Sequence, residues 1–336
     1  MQVAFLRLFH ANPWFSGAQL QALHTANALQ ALGIRVQFVE PDSLPEADLL
    51  HAFGLYPDYL STVAVYRARG VPVVVSPIFF KDISRWWGRL RVHTAFLWEG
   101  RQRRYQQQRA LLRQAHHLLP NTHAEAAQVQ RYFRVDTPAT VVPNGVDARF
   151  ATADPRPFRE QFGIKHDFVL CVGRIEWRKN QLRLIRALQG TGIPLVLIGQ
   201  PISKRYLRHC ERAAQRTSVL FLPPLPHDSP LLASAYAACR VFALPSLLET
   251  PGLAALEAGV AGARVVVTPY GGAPEYFRQF ARYPNPRSVA SLRATILEAW
   301  DAPHDADAQR HFLLSRYTWE HVAQQTLAVY RHVLDS

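Results

Sequence analysis

Methionine, cysteine, lysine and long hydrophobic runs are all scarce in this chain of 336 residues. The three cysteines, Cys171, Cys210 and Cys239, have neither metal-ligand nor redox-motif spacing, so we expect reduced, buried thiols in a cytosolic protein. No apolar run approaches the roughly 18 residues of a membrane span. The opening residues, MQVAFLRL, are too few and too poorly flanked for a signal peptide.

The positive charge of the chain is carried almost entirely by arginine. Lysine and arginine together number 38 against 25 aspartates and glutamates, which gives a formal net charge of +13, yet only four of these basic residues are lysines. Overall basicity of this kind is weak evidence for nucleic-acid binding, because clustering of charge is the better indicator. We therefore predict no nucleic-acid partner.

Hydrophobic strands alternate with amphipathic helices along both halves of the chain. In the first half, the pattern predicts strands at 2–9, 34–40, 71–76 and 139–144 and helices at 17–33 and 57–69. The same alternation restarts in the second half. Strands that alternate with helices form parallel sheets covered on both faces. The sequence therefore predicts an α/β fold of two parallel-sheet domains that face each other across a cleft.

One break in this alternation suggests where the domains divide. Residues 146–160 contain prolines and alanines without apolar periodicity, which is typical of a linker. We predict a first domain over 1–145, a second over 161–318 and a C-terminal helix over 319–336 that packs back on the first domain. A chain of this length can form two such domains, each with its own core.

A basic loop directly follows the predicted strand at 168–172. Residues 173–180 read GRIEWRKN, and Gly173 would let the backbone approach a ligand closely. Arg174 offers a planar fork of donors and Lys179 a point charge, a combination that suits a diphosphate. A solvated basic loop is the alternative. The position at a strand end favours a binding site, because ligands of open parallel sheets bind there.

Two glutamates stand eight residues apart in SLLETPGLAALEAG, residues 246–259, with no cation beside either of them. Glu249 follows a predicted strand, and Glu257 lies among apolar residues of the next predicted helix. A lone buried carboxylate costs several kcal/mol unless it is hydrogen-bonded. Ribose hydroxyls would satisfy Glu257, sugar hydroxyls would suit Glu249, and free amides at Gly252 and Leu253 would suit a phosphate. The alternative for Glu257 is a buried arginine from a neighbouring element.

Four motifs occur in an order that resembles the retaining glycosyltransferases of family 4, which have the GT-B fold. Glu249 and Glu257 match the Glu-x7-Glu motif of that family, and Gly173, Arg174 and Lys179 match its Gly-Arg-x4-Lys motif. The resemblance covers nearly the whole chain and is strongest from 140 to 280. The four motifs are VPNGVD at 142–147, GRIEWRKN at 173–180, PSLLETPGLAALEA at 245–258 and GGAPEYF at 271–277.

The resemblance implies a role for each matching residue. Arg174 and Lys179 would hold the diphosphate of a UDP- or GDP-linked sugar, and Glu257 would bind its ribose. Glu249 would hold the donor sugar and stabilise charge at the reacting centre, and the amides near Gly252 and Leu253 would complete the site. It also implies retention by front-face displacement, with no metal and no permanently bound cofactor. The acceptor would be a hydroxyl of a glycan, a lipid-linked molecule or a small molecule.

The first half departs from the family pattern in two places. The loop after the first strand has Ser16-Gly17 where the family often has two glycines, and residues 76–80, SPIFF, lack the histidine that many members carry there. His10 and His51 lie near predicted strand ends and could face the cleft or an acceptor, although such histidines are more often structural. The missing histidine leaves open an alternative: a catalytically weak or inactive nucleotide-sugar-binding partner of another transferase.

Arginines and aromatic residues are interleaved in residues 85–104. This pattern fits an anionic membrane surface or an anionic lipid-linked acceptor, and it fits a nucleic-acid groove less well. The alternative is a helix that packs its aromatic residues on the first domain and exposes its arginines. We accordingly expect a cytoplasmic protein, with peripheral binding at the inner face of the membrane as a hypothesis.

Overall fold

The computed structural model describes residues 1–6, 17–40, 43–81, 99–250 and 252–336. These residues divide into two compact units, one formed by residues 1–145 with 319–336 and the other by residues 146–318. Each unit contains a sheet whose paired strands are all parallel, with helices between most successive strands. The predicted fold class of two Rossmann-like α/β domains is therefore confirmed.

The sheet of the first unit has the strand order β2-β1-β3-β4-β5. Every residue of β3 and of β4 is buried, as expected for strands covered on both faces. In chain order, the elements are β1 (Gln2–Leu6), α1 (Gly17–Ala31), β2 (Arg35–Phe38), β3 (Leu49–Phe53), α2 (Tyr59–Ala68), β4 (Val73–Ser76), α3 (Glu99–Gln114), β5 (His117–Leu118) and α4 (His123–Phe133).

The sheet of the second unit has the order β11-β10-β9-β6-β7-β8. Its elements are α5 (Arg156–Gln161), β6 (Val169–Val172), α6 (Gln181–Leu188), β7 (Leu195–Ile198), α7 (Lys204–Ala214), β8 (Val219–Leu222), α8 (Pro230–Ala238), β9 (Val241–Leu244), α9 (Leu253–Val260), β10 (Arg264–Val267), α10 (Ala273–Phe277), β11 (Ala281–Arg282), α11 (Val289–Asp301) and α12 (Ala306–Tyr317). The last helix, α13 (Trp319–Leu334), belongs to the first unit and packs on α1.

The strand order creates a switch point between β6 and β9. From β6 the chain extends the sheet through β7 and β8 on one side, whereas β9, β10 and β11 extend it on the other. The loops after β6 and β9 (173–180 and 245–252) therefore leave neighbouring strands in diverging directions. Ligands of open α/β sheets bind in the crevice at such a point.

The structure corrects two sequence predictions. Residues 146–160 are not a linker: they form a 3₁₀ helix at Ala148–Thr152 and then α5, and Phe150 and Phe158 are fully buried in the core of the second unit. Residues 139–144 were expected to form a strand, but only Ala139 makes a bridge, to Leu118. Prolines flank and interrupt that segment, and proline cannot donate to a strand ladder.

The three cysteines are buried free thiols, as the sequence predicts. Within the described ranges, no helix combines the length and the hydropathy needed to cross a membrane.

Candidate active site

The loop after β6 is packed tightly against the loop after β7. Gly173 has a φ of +147°, and its carbonyl oxygen lies so close to Gly199 that a Cβ at that position would collide with it. Two residues further on, Ile175 forms a parallel bridge with Pro201. A Cβ on Gly173 would also lie 3.7 Å from the Lys179 side chain. Glycine at 173 therefore lets the loop turn so that Lys179 folds back over its start.

Asn180 fixes the end of this loop to the loop after β9. It has a left-handed backbone conformation, with φ of +65°, and its buried side-chain amide donates to the carbonyl oxygens of Pro245, at 2.9 Å, and Pro286, at 2.7 Å. A second connection is the Leu247 amide, which donates to the Arg178 carbonyl oxygen at 2.8 Å. These bonds hold the two loops of the switch point in register.

Glu249 and Lys179, both predicted site residues, form an ion pair across the switch point. The Lys179 Nζ lies 2.6 Å from Glu249 Oε1, and the Glu249 side chain is 5% exposed. Arg178, which sequence reasoning missed, lies 3.6 Å from the same oxygen and donates to the Leu248 carbonyl oxygen. Burial alone would raise the pKa of Glu249, but the nearby Lys179 and Arg178 outweigh it and hold that pKa below its usual value.

The loop after β10 holds the backbone of Glu249. The Glu249 amide donates to the Tyr270 carbonyl oxygen at 3.1 Å, and the Gly272 amide donates back to the Glu249 carbonyl oxygen at 2.9 Å. Gly271, between them, has a φ of +109°, and any Cβ there would collide with the Glu249 carbonyl oxygen. The glycine pair of GGAPEYF thus allows a close backbone approach, and the chain segment it approaches is the loop that carries Glu249.

Arg174 lies on the same loop as Lys179 but has a different carboxylate as its partner. Its guanidinium is 3.2 Å from Glu176, which also lies 3.4 Å from Arg178. The Arg174 side chain is 54% exposed, so it can turn towards a ligand, while its carbonyl oxygen accepts a hydrogen bond from Gln181. An anion bound by Arg174 would have to compete with Glu176.

Glu257 lies in α9 and is buried, as predicted, but its partner belongs to the chain. His227, in the loop between β8 and α8, places its Nε2 2.7 Å from Glu257 Oε1. The partner within the chain is thus a histidine and not the arginine of the alternative, and the binding of ribose hydroxyls by Glu257 stays a prediction. Burial alone would lower the pKa of His227, but the hydrogen bond and charge of Glu257 outweigh it and raise that pKa.

Arg149 fixes the loop that carries His227. Its guanidinium donates to the carbonyl oxygens of His227, at 2.6 Å, and Asp228, at 3.1 Å. Tyr236, on α8, is fully buried, and burial together with the charge of Glu257 raises its pKa well above the usual value. Sequence reasoning missed Arg149 and His227 because they are distant along the chain and belong to no recognisable motif.

The start of α9 follows the Glu249 loop. Gly252 has a φ of +83° and precedes Leu253, the first residue of the helix. The first amides of a helix have no carbonyl partner within it and carry the positive end of the helix dipole. This is the setting in which the sequence placed a phosphate. Pro251 lies outside the described residues.

The structure describes two of the three candidate site residues of the first unit. His51 is 1% exposed within β3, and its two ring nitrogens lie 2.6 Å from the Tyr330 hydroxyl and 2.9 Å from the Ser76 hydroxyl. With both ring nitrogens bound inside the unit, His51 fits the structural alternative and not a residue that faces a ligand, and burial lowers its pKa to about 3. Gly17 begins α1. His10 lies outside the described residues.

The loop after β4, which lacks the expected histidine, is held in an unusual conformation. Ile78 has a φ of +47°, which is an outlier for a β-branched residue. The buried carboxylate of Glu125 accepts hydrogen bonds from the backbone amides of Phe79, at 2.7 Å, and Asn121, at 2.8 Å. Glu125 thus ties the loops after β4 and β5 together.

Two further predictions concern a metal and a membrane. Across the described parts of the chain, no group of three or more His, Cys, Asp or Glu side chains could hold a metal ion. Of the basic–aromatic stretch 85–104, residues 85–98 lie outside the described residues, and the remainder belongs to the start of α3. Membrane binding by this stretch stays a prediction.

Both units match glycosyltransferase family models. The model described as "Glycosyl transferases group 1" matches residues 155–309, and the model described as "Glycosyltransferase Family 4" matches residues 42–150. One curated relative is the D-inositol 3-phosphate glycosyltransferase of Mycolicibacterium paratuberculosis, which is 30% identical over 250 residues, covering 66% of this chain and 54% of that protein. The chain spans about half the length of the curated relatives it matches.

Solved structures support the same fold over nearly the whole chain. Sucrose-phosphate synthase from Thermosynechococcus elongatus has a TM-score of 0.77 at 19% identity, with 99% of both chains covered. HepE from Anabaena, solved in complex with UDP-glucose, has a TM-score of 0.76 at 19% identity, with 99% of this chain and 100% of that chain covered. The chain therefore shares the GT-B fold of these solved structures, and each of its two units is similar to a glycosyltransferase family model.

Proposed function

We propose that this chain transfers a sugar from a nucleotide-diphosphate donor to a hydroxyl acceptor, with retention of the anomeric configuration and without a metal ion. The donor site in this proposal lies on the second unit, at the carboxyl ends of β6 and β9. The acceptor is a glycan, a lipid-linked molecule or a small molecule. No cofactor is bound permanently, because the nucleotide sugar is itself a substrate.

One observation carries the proposal: the contact between Lys179 and Glu249 across the switch point. Lys179 provides a point charge at the place where open α/β sheets bind ligands, and Arg174 lies on the same loop with half of its side chain exposed. In this proposal both side chains bind the donor diphosphate. Their attraction strengthens as the leaving group gains charge, so they act mainly in the transition state.

The two motif glutamates complete the proposed donor site. Glu257 accepts hydrogen bonds from the ribose hydroxyls, and Glu249 faces the donor sugar. A diphosphate that binds Lys179 takes the closest cation away from Glu249. The freed carboxylate can then stabilise the positive charge that develops on the sugar as its bond to phosphate breaks. The first-turn amides at Gly252 and Leu253 bind a phosphate oxygen.

The choice of the first substrates to test follows from the relatives. HepE was solved with UDP-glucose, so uridine donors are tested first and GDP-linked sugars second. One matched relative is named for D-inositol 3-phosphate, which makes a phosphorylated polyol the first small acceptor to offer. A lipid-linked acceptor in anionic vesicles tests the alternative that the basic–aromatic stretch suggests.

The test is a panel of UDP- and GDP-linked sugars, measured for binding by calorimetry and for release of nucleotide diphosphate with and without acceptor. We expect binding and slow hydrolysis with one donor, and faster release when a suitable acceptor is present. Lys179→Ala should slow the release of nucleotide diphosphate by about 10²-fold or more. Lys165→Ala is the matched control, because Lys165 is an exposed lysine of the same unit outside the two loops.

Two outcomes would contradict the proposal. Failure of every donor and nucleotide diphosphate to bind would remove the donor site itself. Tight binding without turnover for any donor and acceptor would instead favour the inactive nucleotide-sugar-binding partner.

A further inference from the structure

We propose that His227 is a positioning residue of the nucleoside subsite, where it holds the Glu257 carboxylate in the orientation that receives the ribose hydroxyls. This inference rests on the proposed function, in which Glu257 is the ribose ligand. No sequence motif includes His227. The structure brings it to the carboxylate from a loop 30 residues away along the chain.

The geometry leaves part of the carboxylate available to a ligand. His227 Nε2 lies 2.7 Å from Oε1 of Glu257, so the ring donates to one oxygen. An ionised carboxylate offers about four lone-pair sites on its two oxygens. A hydrogen bond between Tyr236 and Glu257, which helps to raise the pKa of that tyrosine, takes a second site, so at most two of the four are left for neighbouring hydroxyls. A carboxylate held at one oxygen presents the other in a fixed direction, which reduces the entropy lost when a diol binds.

His227 is itself held in place on both sides. Arg149 donates to the carbonyl oxygens of residues 227 and 228, and the Phe150 ring meets the imidazole edge-on with ring centres 6.3 Å apart. Immediately afterwards, the Ser229 hydroxyl caps α8 by accepting from the Leu231 amide. The side chain of His227 is only 20% exposed. These contacts fix both the backbone and the ring of His227.

A purely structural ion pair between α9 and the loop before α8 is the competing explanation. It predicts a loss of stability on substitution, with no change in how the protein distinguishes one nucleotide from another. A positioning role predicts a selective loss of the contribution made by the ribose. The contribution of the diphosphate should remain, because Arg174 and Lys179 lie on a different loop.

The experiment measures binding of three probes by calorimetry: UDP or GDP, whichever the wild type binds more tightly, its 2′-deoxy counterpart, and inorganic pyrophosphate. The variants are His227→Ala and His227→Gln, with His209→Ala as control, because His209 is an exposed histidine of α7. For His227→Ala we expect about tenfold weaker binding of the ribonucleotide, the scale of one hydrogen bond to a charged group. Pyrophosphate binding should stay within about twofold, and the preference for ribose over 2′-deoxyribose should shrink.

The glutamine variant carries the test if the alanine variant folds poorly, because its amide can donate to the same oxygen. We expect glutamine to restore most of the ribose preference. An unchanged ribose preference in His227→Ala, or an equal loss for nucleotide and pyrophosphate, would overturn the inference and leave a structural pair. Wild-type protein that binds pyrophosphate no less tightly than the nucleotide would instead overturn the proposed role of Glu257.

Discussion

Removing Lys179 should destabilise the second unit more than removing Glu249 does, although the two side chains form one ion pair. The pair joins Nζ and Oε1 at 2.6 Å, with side chains that are 14% and 5% exposed. Lys179→Met leaves the nearly buried carboxylate with Arg178 as its remaining close cation, at 3.6 Å. Glu249→Gln leaves a long, flexible lysine whose ammonium can turn towards water.

The expected loss in free energy of unfolding for each variant follows from these distances. With an effective dielectric constant of about 20, the Coulomb attraction is about 6 kcal/mol at 2.6 Å and about 5 kcal/mol at 3.6 Å, so Arg178 retains much of the compensation. Removing one partner of a buried pair typically costs about 3–5 kcal/mol. We expect about 2–3 kcal/mol for Lys179→Met and about 1 kcal/mol for Glu249→Gln. The loss of stability in the double variant should be smaller than the sum of the two single losses, because neither charge is left without its partner.

The assay is urea unfolding of the wild type, both single variants and the double variant, followed by circular dichroism and by tryptophan fluorescence. The four free energies of unfolding form a double-mutant cycle that isolates the coupling between the two side chains. Equal losses for the two single variants, or additive losses in the double variant, would refute the reasoning. Such a result would mean that the carboxylate reaches water or another cation when Lys179 is removed.

Three further predictions concern catalysis, pH and membranes. Lys179→Ala should lower kcat/KM by about 10²-fold or more and weaken donor binding less, because the attraction between Lys179 and the leaving diphosphate grows in the transition state. Equal losses of kcat/KM in steady-state kinetics and of donor affinity in calorimetry would contradict this. Glu257 raises the pKa of His227 above 6.5, so the stability that the pair adds should be complete below pH 6.5 and should be lost as pH rises through the raised pKa. The free energy of unfolding in urea, measured across this pH range, should fall less in His227→Gln than in the wild type. Identical pH profiles of the two proteins would contradict the assignment. Replacing Arg101, Arg103 and Arg104 with glutamine should reduce co-sedimentation with anionic vesicles, at about 1 kcal/mol per arginine, and equal sedimentation would refute membrane docking.

The fold could be predicted because its signals are local. Strands such as β4 are short apolar runs buried on both faces, and α1 is followed by Gly33 at a φ of +81°, the usual way for a helix to end. The 146–160 segment departs from the linker prediction because its buried residues, Val146, Phe150 and Phe158, follow one another at intervals of four and then eight positions and so sustain neither a helical nor a strand period. Their burial depends on elements distant along the chain, which no local pattern shows.

The site could be predicted in part for the same reason. Glycine and charged residues at strand ends mark the loops after β6 and β9, so Lys179 and Glu249 could be assigned to one place without knowing that they touch. The partners could not be found, because they are separated along the chain by 70 residues for Lys179 and Glu249 and by 30 for His227 and Glu257. A glutamate with no cation nearby in the sequence can still have one in the fold.

The site compensates its own charges, and this bears on how it would accept a diphosphate. Glu176 pairs with Arg174, Glu249 with Lys179 and Glu257 with His227. Without Glu176 and Glu249, the cations of one loop (Arg174, Arg178 and Lys179) would repel one another and destabilise the fold. With them, the basic side chains exchange a carboxylate for the diphosphate when it binds, and no uncompensated positive charge exists beforehand. On the proposed function, that exchange frees Glu249 only when the donor is present, so the carboxylate that stabilises the reacting sugar becomes available at the step that needs it.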